Sequence, residues 1–261
     1  MENNNIQKIK NENKKAGKTF MIICIVAFIV GGVAGGVLNM ADNTFDFGSI
    51  AKMLHDMLAV WGPTAMTVLT IILSIIGFAK VGQARRTFKK WDGEDEQAIA
   101  KAEKQLGVAL LMSTLISIIS YFFAAASFAV GSFWIDAVPV MMRDINLVLW
   151  FVGFVGCLVL ITVLQKKAVD LAKEINPEKN GSVYDMKFQK KWEESCDEAE
   201  KLKIYKSAFS AYKATNSACI VVWLALFFLN MLFETGVMPL VVVCVLWAVL
   251  QIAYYIESVK E

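Results

Sequence analysis

Charge is absent from six long stretches of this sequence: no Asp, Glu, Lys, Arg or His occurs within residues 19–38, 57–79, 107–130, 146–164, 216–233 or 237–256. Each stretch has the roughly 18–25 uncharged, mainly apolar residues that a helix needs to cross a bilayer. An ordinary soluble domain is excluded by the same feature, because the chain is 57% apolar with a mean hydropathy of +0.52. Histidine is nearly missing too. The single one, His55, has Asp56 beside it, and a lone histidine in a connecting loop reads as a surface residue. An intramembrane metal or serine-type hydrolase needs a cluster of ligands or a base in reach, and only a pocket joining His55, Asp56 and Asp136 would supply one. The expectation is therefore no catalytic residue, no metal and no cofactor. The five cysteines lie in apolar runs except Cys196, which argues for small hydrophobes and against disulfides. A net charge of only +2 offers nothing for nucleic acid. Ion-coupled transport is disfavoured by the lack of intramembrane charge. The amides Asn39, Asn146, Asn216, Asn230, Gln165 and Gln251 sit mostly near span ends, where they serve packing or the interface.

What is present sets a topology. The apolar run 19–38 is longer than the roughly 7–15 residues of a signal-peptide core and lacks a small-residue cleavage site, so it reads as an anchor. Lys and Arg accumulate on the cytoplasmic side of membrane proteins. Here 24 of the 26 basic residues fall in residues 1–18, 80–106, 165–215 and 257–261, leaving Lys52 and Arg143 in the alternate connections. The expected fold class is all-α and polytopic, with six transmembrane helices in three hairpins and with helical cytoplasmic extensions. The hairpins are 19–79, 107–164 and 216–256, and both termini are expected in the cytoplasm, with the protein in the cell membrane. Phe45 to Asp56 reads as a short interfacial helix before Trp61-Gly62-Pro63. The last hairpin should turn tightly at Glu234-Thr-Gly236, with Pro239 in the first turn of the next helix and the two helices packed antiparallel.

The two long cytoplasmic connections echo each other, one through Lys89-Lys-Trp91 and the other through Lys190-Lys-Trp192, each followed by acids and an amphipathic run. Whether they are an internal repeat stays open. In the first, Asp92 is the expected helix cap. In the second, the helix from the fourth span should stop before Pro177, with a turn at Asn180-Gly181. Trp192 to Asn230 then reads as a single helix of 39 residues, which spans about 58 Å, so near half of it stands outside the hydrocarbon. Along it Cys196, Ala199, Leu202, Tyr205, Phe209 and Tyr212 recur at helical spacing, a stripe expected to bury against a neighbour. Asp197, Glu198 and Glu200 alternate with lysines, and pairing such as Asp197 with Lys201 is favoured over chelation. Gly31, Gly32, Gly35 and Gly36 hold overlapping Gly-x-x-x-Gly pairs, an expected helix-packing or interface site, with Gly153 and Gly156 a weaker case.

The run Trp192-Glu-Glu-Ser-Cys-Asp-Glu-Ala-Glu-Lys-Leu-Lys-Ile-Tyr-Lys-Ser-Ala-Phe-Ser-Ala-Tyr-Lys213, placed before a fifth span, resembles the C-terminal signature of a bacterial membrane family, domain of unknown function 3169. That resemblance implies location and architecture and carries over no site residue. Beyond the lipid bilayer, the expected partner is a protein or a second copy, met through the first helix or the cytoplasmic helices. The expected role is accessory or protective. The alternative is a transporter or permease-like protein for an apolar or amphipathic compound.

Overall fold

The computed structural model describes residues 21–22, 25–26, 29, 32–33, 47–136, 138–233 and 235–259. Among the described residues there is no strand. The helices are α1 (Phe47–Lys89), α2 (Glu96–Ala129), α3 (Val140–Ile175), α4 (Phe188–Glu194), α5 (Glu198–Phe233) and α6 (Met238–Ser258). Five of them, all but α4, are long and apolar enough to cross a membrane. The chain is thus an all-helical membrane protein. The expected first span, 19–38, lies mostly outside the described residues. The chain divides into two compact units, Lys52–Ser217 and a second formed by Met1–Ala51 with Ala218–Glu261.

Within Lys52–Ser217, α1, α2 and α3 each bury a seam with one residue every three or four positions. On α2 the seam runs Ala102, Leu106, Ala109, Ser113, Ile116, Ser120, Ala124 and Ser127; on α3 it runs Cys157, Ile161, Leu164, Ala168, Leu171 and Ile175. A spacing that averages about 3.5 keeps the same face inward along helices that wind around one another. Small seam residues matter because lipid gives helices no hydrophobic reason to associate, so close van der Waals approach must do it. Two glycines mark the closest approaches. A Cβ at Gly77 would stand 2.5 Å from Leu164 Cδ2, and one at Gly153 would stand 2.5 Å from Thr67 Oγ1. Seam hydroxyls also pair across helices, with Thr70 Oγ1 and Ser120 Oγ 2.9 Å apart.

The interfacial helix expected over 45–56 is no separate element. From Phe47 it is continuous with the span and passes through Pro63. Proline has no N–H, so the Ala59 carbonyl one turn earlier loses its donor. Asn146 of α3 supplies one: its Nδ2 lies 3.1 Å from Ala59 O and 3.2 Å from Val60 O. Thr67 Oγ1 donates to Pro63 O at 3.0 Å. Neighbouring side chains of this kind are what let a transmembrane helix keep a proline. Near Asn146 the α2–α3 turn is fastened by Arg143, whose Nε donates to Val138 O at 2.8 Å and whose Nη2 meets Asp136 at 3.0 Å. Trp150 Nε1 donates to Ala124 O at 2.9 Å, with its ring 5.8 Å from Phe133 and 6.0 Å from Phe154. This is the aromatic end of the three-helix bundle.

Two local expectations are corrected at the other, charged end. Asp92 does not cap α2; its Oδ1 accepts from Glu94 N and Asp95 N in a tight turn, and Asp95 is the cap, accepting from Gln97 N at 2.9 Å and Ala98 N at 3.2 Å. The turn at Gly93, with φ of +96°, delays the helix start. Nor is Trp192 to Asn230 one helix. It breaks at Ser195–Asp197, because Asp197 Oδ1 accepts from Glu200 N at 2.7 Å while Glu200 Oε2 accepts from Asp197 N at 3.1 Å, a reciprocal cap that starts α5 afresh. The two Lys-Lys-Trp stretches also differ, since Trp91 follows the end of α1 whereas Trp192 lies inside α4.

In the second unit, Gly236 with φ of +75° and a proline at the start of α6 form the turn read from the sequence. Neither α5 nor α6 has a buried residue, so the antiparallel packing expected of this hairpin is not accompanied by buried side chains. Lipid tails solvate apolar faces as well as another helix does, and a short turn alone does not force a packed seam.

Candidate functional site

The charged end of Lys52–Ser217 gathers the polar chemistry. Helix α3 runs on past its apolar stretch and stops at Ile175; Asn176 N donates to Ala172 O at 2.9 Å, and Pro177 prevents continuation. Asn176 Nδ2 reaches Glu103 Oε1 of α2 at 2.8 Å. The chain then turns back through Gly181, whose φ of +123° suits only glycine and whose carbonyl accepts from Lys173 Nζ at 3.1 Å.

This turn sends Lys179 inward. The residue is only 5% exposed, and its ammonium is ion-paired with Glu200 and lies 3.5 Å from Cys196 Sγ. Cys196 Sγ donates to Trp192 O at 3.2 Å, and Asn180 N donates to Ser195 Oγ at 3.1 Å. The loop after α3, the end of α4 and the start of α5 are therefore tied at one point. Burial pulls the Lys179 ammonium down, but the Glu200 carboxylate, with Cys196, outweighs it and holds the pKa above the ordinary 10.5. At the start of α4, Asp185 pairs with Lys191 and accepts from Lys187 N at 2.9 Å. The Lys191 hydrogen bond first, and the Lys187 N–H second, lower the Asp185 pKa.

Beneath α4 lies a cavity of about 510 Å³, lined by Leu106 and Leu110 of α2, Gln165 and Val169 of α3, and Phe188 and Trp192 of α4. Its roof is aromatic, with the Phe188 and Trp192 rings 5.5 Å apart. Its polar groups are few; Gln165 Nε2 is 3.3 Å from Ser113 Oγ. Apolar walls with a few polar groups are usual for a site that takes a small apolar or amphipathic molecule.

Of the stripe expected to bury, the structure buries Cys196 alone. Ala199 is exposed, as are Leu202 at 67%, Tyr205 at 53% and Phe209 at 47%, while Tyr212 is half-buried. Tyr205 OH donates to Glu193 Oε1 at 2.7 Å, Phe209 stacks on Tyr212 at 6.3 Å, and Lys213 Nζ stands 5.1 Å over the Phe209 ring. Lys201 pairs with Glu198 at 3.4 Å, since Asp197 is used as the cap. Gly32 is exposed, and a Cβ there would meet nothing within 4 Å; Gly31, Gly35 and Gly36 lie outside the described residues. His55 pairs with Asp56 at 3.3 Å on an exposed face of α1, while Asp136 pairs with Arg143.

Sequence reasoning missed the Lys179–Glu200 pair, which is formed by a loop lysine with no periodicity to flag it. It also passed over the three-and-four spacing of small residues on α2, a signal that was there to be counted. Residues 15–258 match the model of a family described as protein of unknown function, DUF3169. No curated protein and no solved structure matches the chain.

Proposed function

The chain belongs to this family of unknown function, DUF3169, and as membership brings no activity with it, we propose from geometry that the protein is a non-enzymatic interaction or accessory protein of the plasma membrane. It acts through the helices of its charged end, which the distribution of Lys and Arg puts in the cytoplasm together with both termini. One observation carries this reading: Leu202 and Phe209 lie at 67% and 47% exposure on the charged N-terminal half of α5. Aromatic and aliphatic side chains grouped on a polar helix are the usual anchors of a protein interface. A photo-cross-linking residue at Leu202 or Phe209, activated in native membranes, is expected to give one discrete adduct with a second copy or another protein, whereas the same residue at Lys190 gives none. Leu202→Glu should reduce recovery of that partner about tenfold. Uncross-linked monomer at both positions would remove the reading.

The cavity under α4 supports a second reading, uptake or passage of an apolar or amphipathic compound. The same purified material separates the two. A stoichiometric small molecule lost in Trp192→Ala, with no protein adduct, favours the cavity.

A further inference from the structure

A groove of about 500 Å³ runs between α1 and α3 at the charged end, floored by Phe78, Val81 and Leu171 and edged by Arg85 and Lys167. Gly82 lines it as well, and a Cβ there would meet nothing within 4 Å.

The depth of these groups follows from helix geometry. The last residues of the charge-free stretches are Ala79 on α1 and Leu164 on α3. At about 1.5 Å per residue, Lys167 lies roughly 4–5 Å and Arg85 roughly 9 Å beyond them. The headgroup layer is about 5–8 Å thick on each side of the hydrocarbon, and a long arginine side chain reaches back toward it. Both cations therefore stand at the level of lipid phosphates, with Phe78 at the edge of the hydrocarbon and Val81 about 3 Å beyond it, while Leu171, about 10 Å beyond Leu164, closes the outer end of the groove.

The charges are not used up internally. Asp170 is held by Lys166 at 2.9 Å and Lys173 at 3.8 Å. Glu174 meets Arg85 at a loose 3.4 Å, with the arginine side chain 58% exposed, so its remaining N–H groups stay available. Lys167 has no carboxylate within ion-pair distance among the described residues; its Nζ sits 5.3 Å over the Phe78 ring. The lining itself sets Arg85 and Lys167 against Asp170 and Glu174, and Lys166 and Lys173, which pair with Asp170 from beside the groove, make the surrounding cluster net positive.

We propose that this α1–α3 groove binds an anionic phospholipid, with Lys167 and Arg85 on the phosphate and the start of an acyl chain on Phe78 and Val81. Basic groups between transmembrane helices at headgroup depth recognise lipids in this way. The test is native mass spectrometry of the full-length protein released from micelles containing phosphatidylglycerol, phosphatidylethanolamine or phosphatidylcholine. Wild type is expected to retain phosphatidylglycerol preferentially. Lys167→Gln and Arg85→Gln should each weaken retention about fivefold, Lys167→Arg should restore it, and Lys190→Gln, on α4, should leave it unchanged. Helical circular dichroism of each variant is compared with wild type, and a misfolded glutamine variant is replaced by methionine at the same position, which also removes the charge. Equal retention of the three lipids, preference for phosphatidylethanolamine, displacement by millimolar inorganic phosphate, or full retention in folded Lys167→Gln, Arg85→Gln would each overturn the assignment.

Discussion

Replacing Asn146 by leucine is expected to destabilise the three-helix bundle by about 1–2 kcal/mol, although the side chains are similar in volume. The loss comes from the Ala59 carbonyl, which Pro63 leaves without a donor and which Asn146 Nδ2 serves at 3.1 Å. An unpaired carbonyl in apolar surroundings costs about 1–3 kcal/mol. The lower part of that range applies here, because separated helices in a membrane also find partial partners. The decisive measurement is a cycle with Pro63→Ala. Alanine restores the N–H to Ala59, so Asn146→Leu should cost less by about 1 kcal/mol in that background. Thermal or denaturant unfolding in one detergent gives all four values. Equal costs in the two backgrounds would mean that Asn146 acts by shape alone.

The second large effect concerns the tie at Lys179. Glu200→Gln keeps a hydrogen-bonding oxygen for the α5 start but leaves a lysine side chain that is 3% exposed without its counter-charge. Removing one partner of a fully buried pair costs about 3–5 kcal/mol. Glu200 is itself 36% exposed, so water offsets part of this. About 1–3 kcal/mol remains, a rise in local opening of about fivefold to 150-fold. Cys196, 6% exposed in the closed state, reports it through its rate of thiol modification. Lys179→Met should act more weakly, because its apolar stem is kept and the carboxylate left behind can turn to water. An unchanged Cys196 rate in Glu200→Gln, or the reverse order of the two variants, would refute the tie. The pH dependence has a definite sign. A lysine whose folded pKa is raised stabilises fully below its unfolded value, and that contribution disappears as pH rises through the folded pKa. Protection of residues 179–200 from amide exchange, corrected for intrinsic rates, should hold through pH 9 and fall only above about 10.5.

The all-helical, membrane-spanning class was readable because exclusion of charge is a property of consecutive residues, as are a helix stop at Pro177 and a turn at Gly236. Family membership was readable from the run Trp192 to Lys213. The break at Ser195–Asp197 was not, since a capping box inside an apolar-periodic run looks like ordinary surface acids until Glu200 folds back on Asp197 N. The partners of Lys179 and Asn146 depend on which loops and helices meet, and neither spacing nor composition encodes that. The α5 stripe shows the opposite difficulty: helical period is legible, but whether a stripe meets its own chain or something else is decided by tertiary placement.

The Asn146 contact also sets an order of events during synthesis. Its donor lies 87 residues after the carbonyl it serves. At about 5–20 residues per second, roughly 4–17 s pass between the appearance of Ala59 and that of Asn146. Throughout that interval α1 must keep its proline turn against water or the insertion machinery, so α1 reaches its final seat only after the third helix of the bundle has been made.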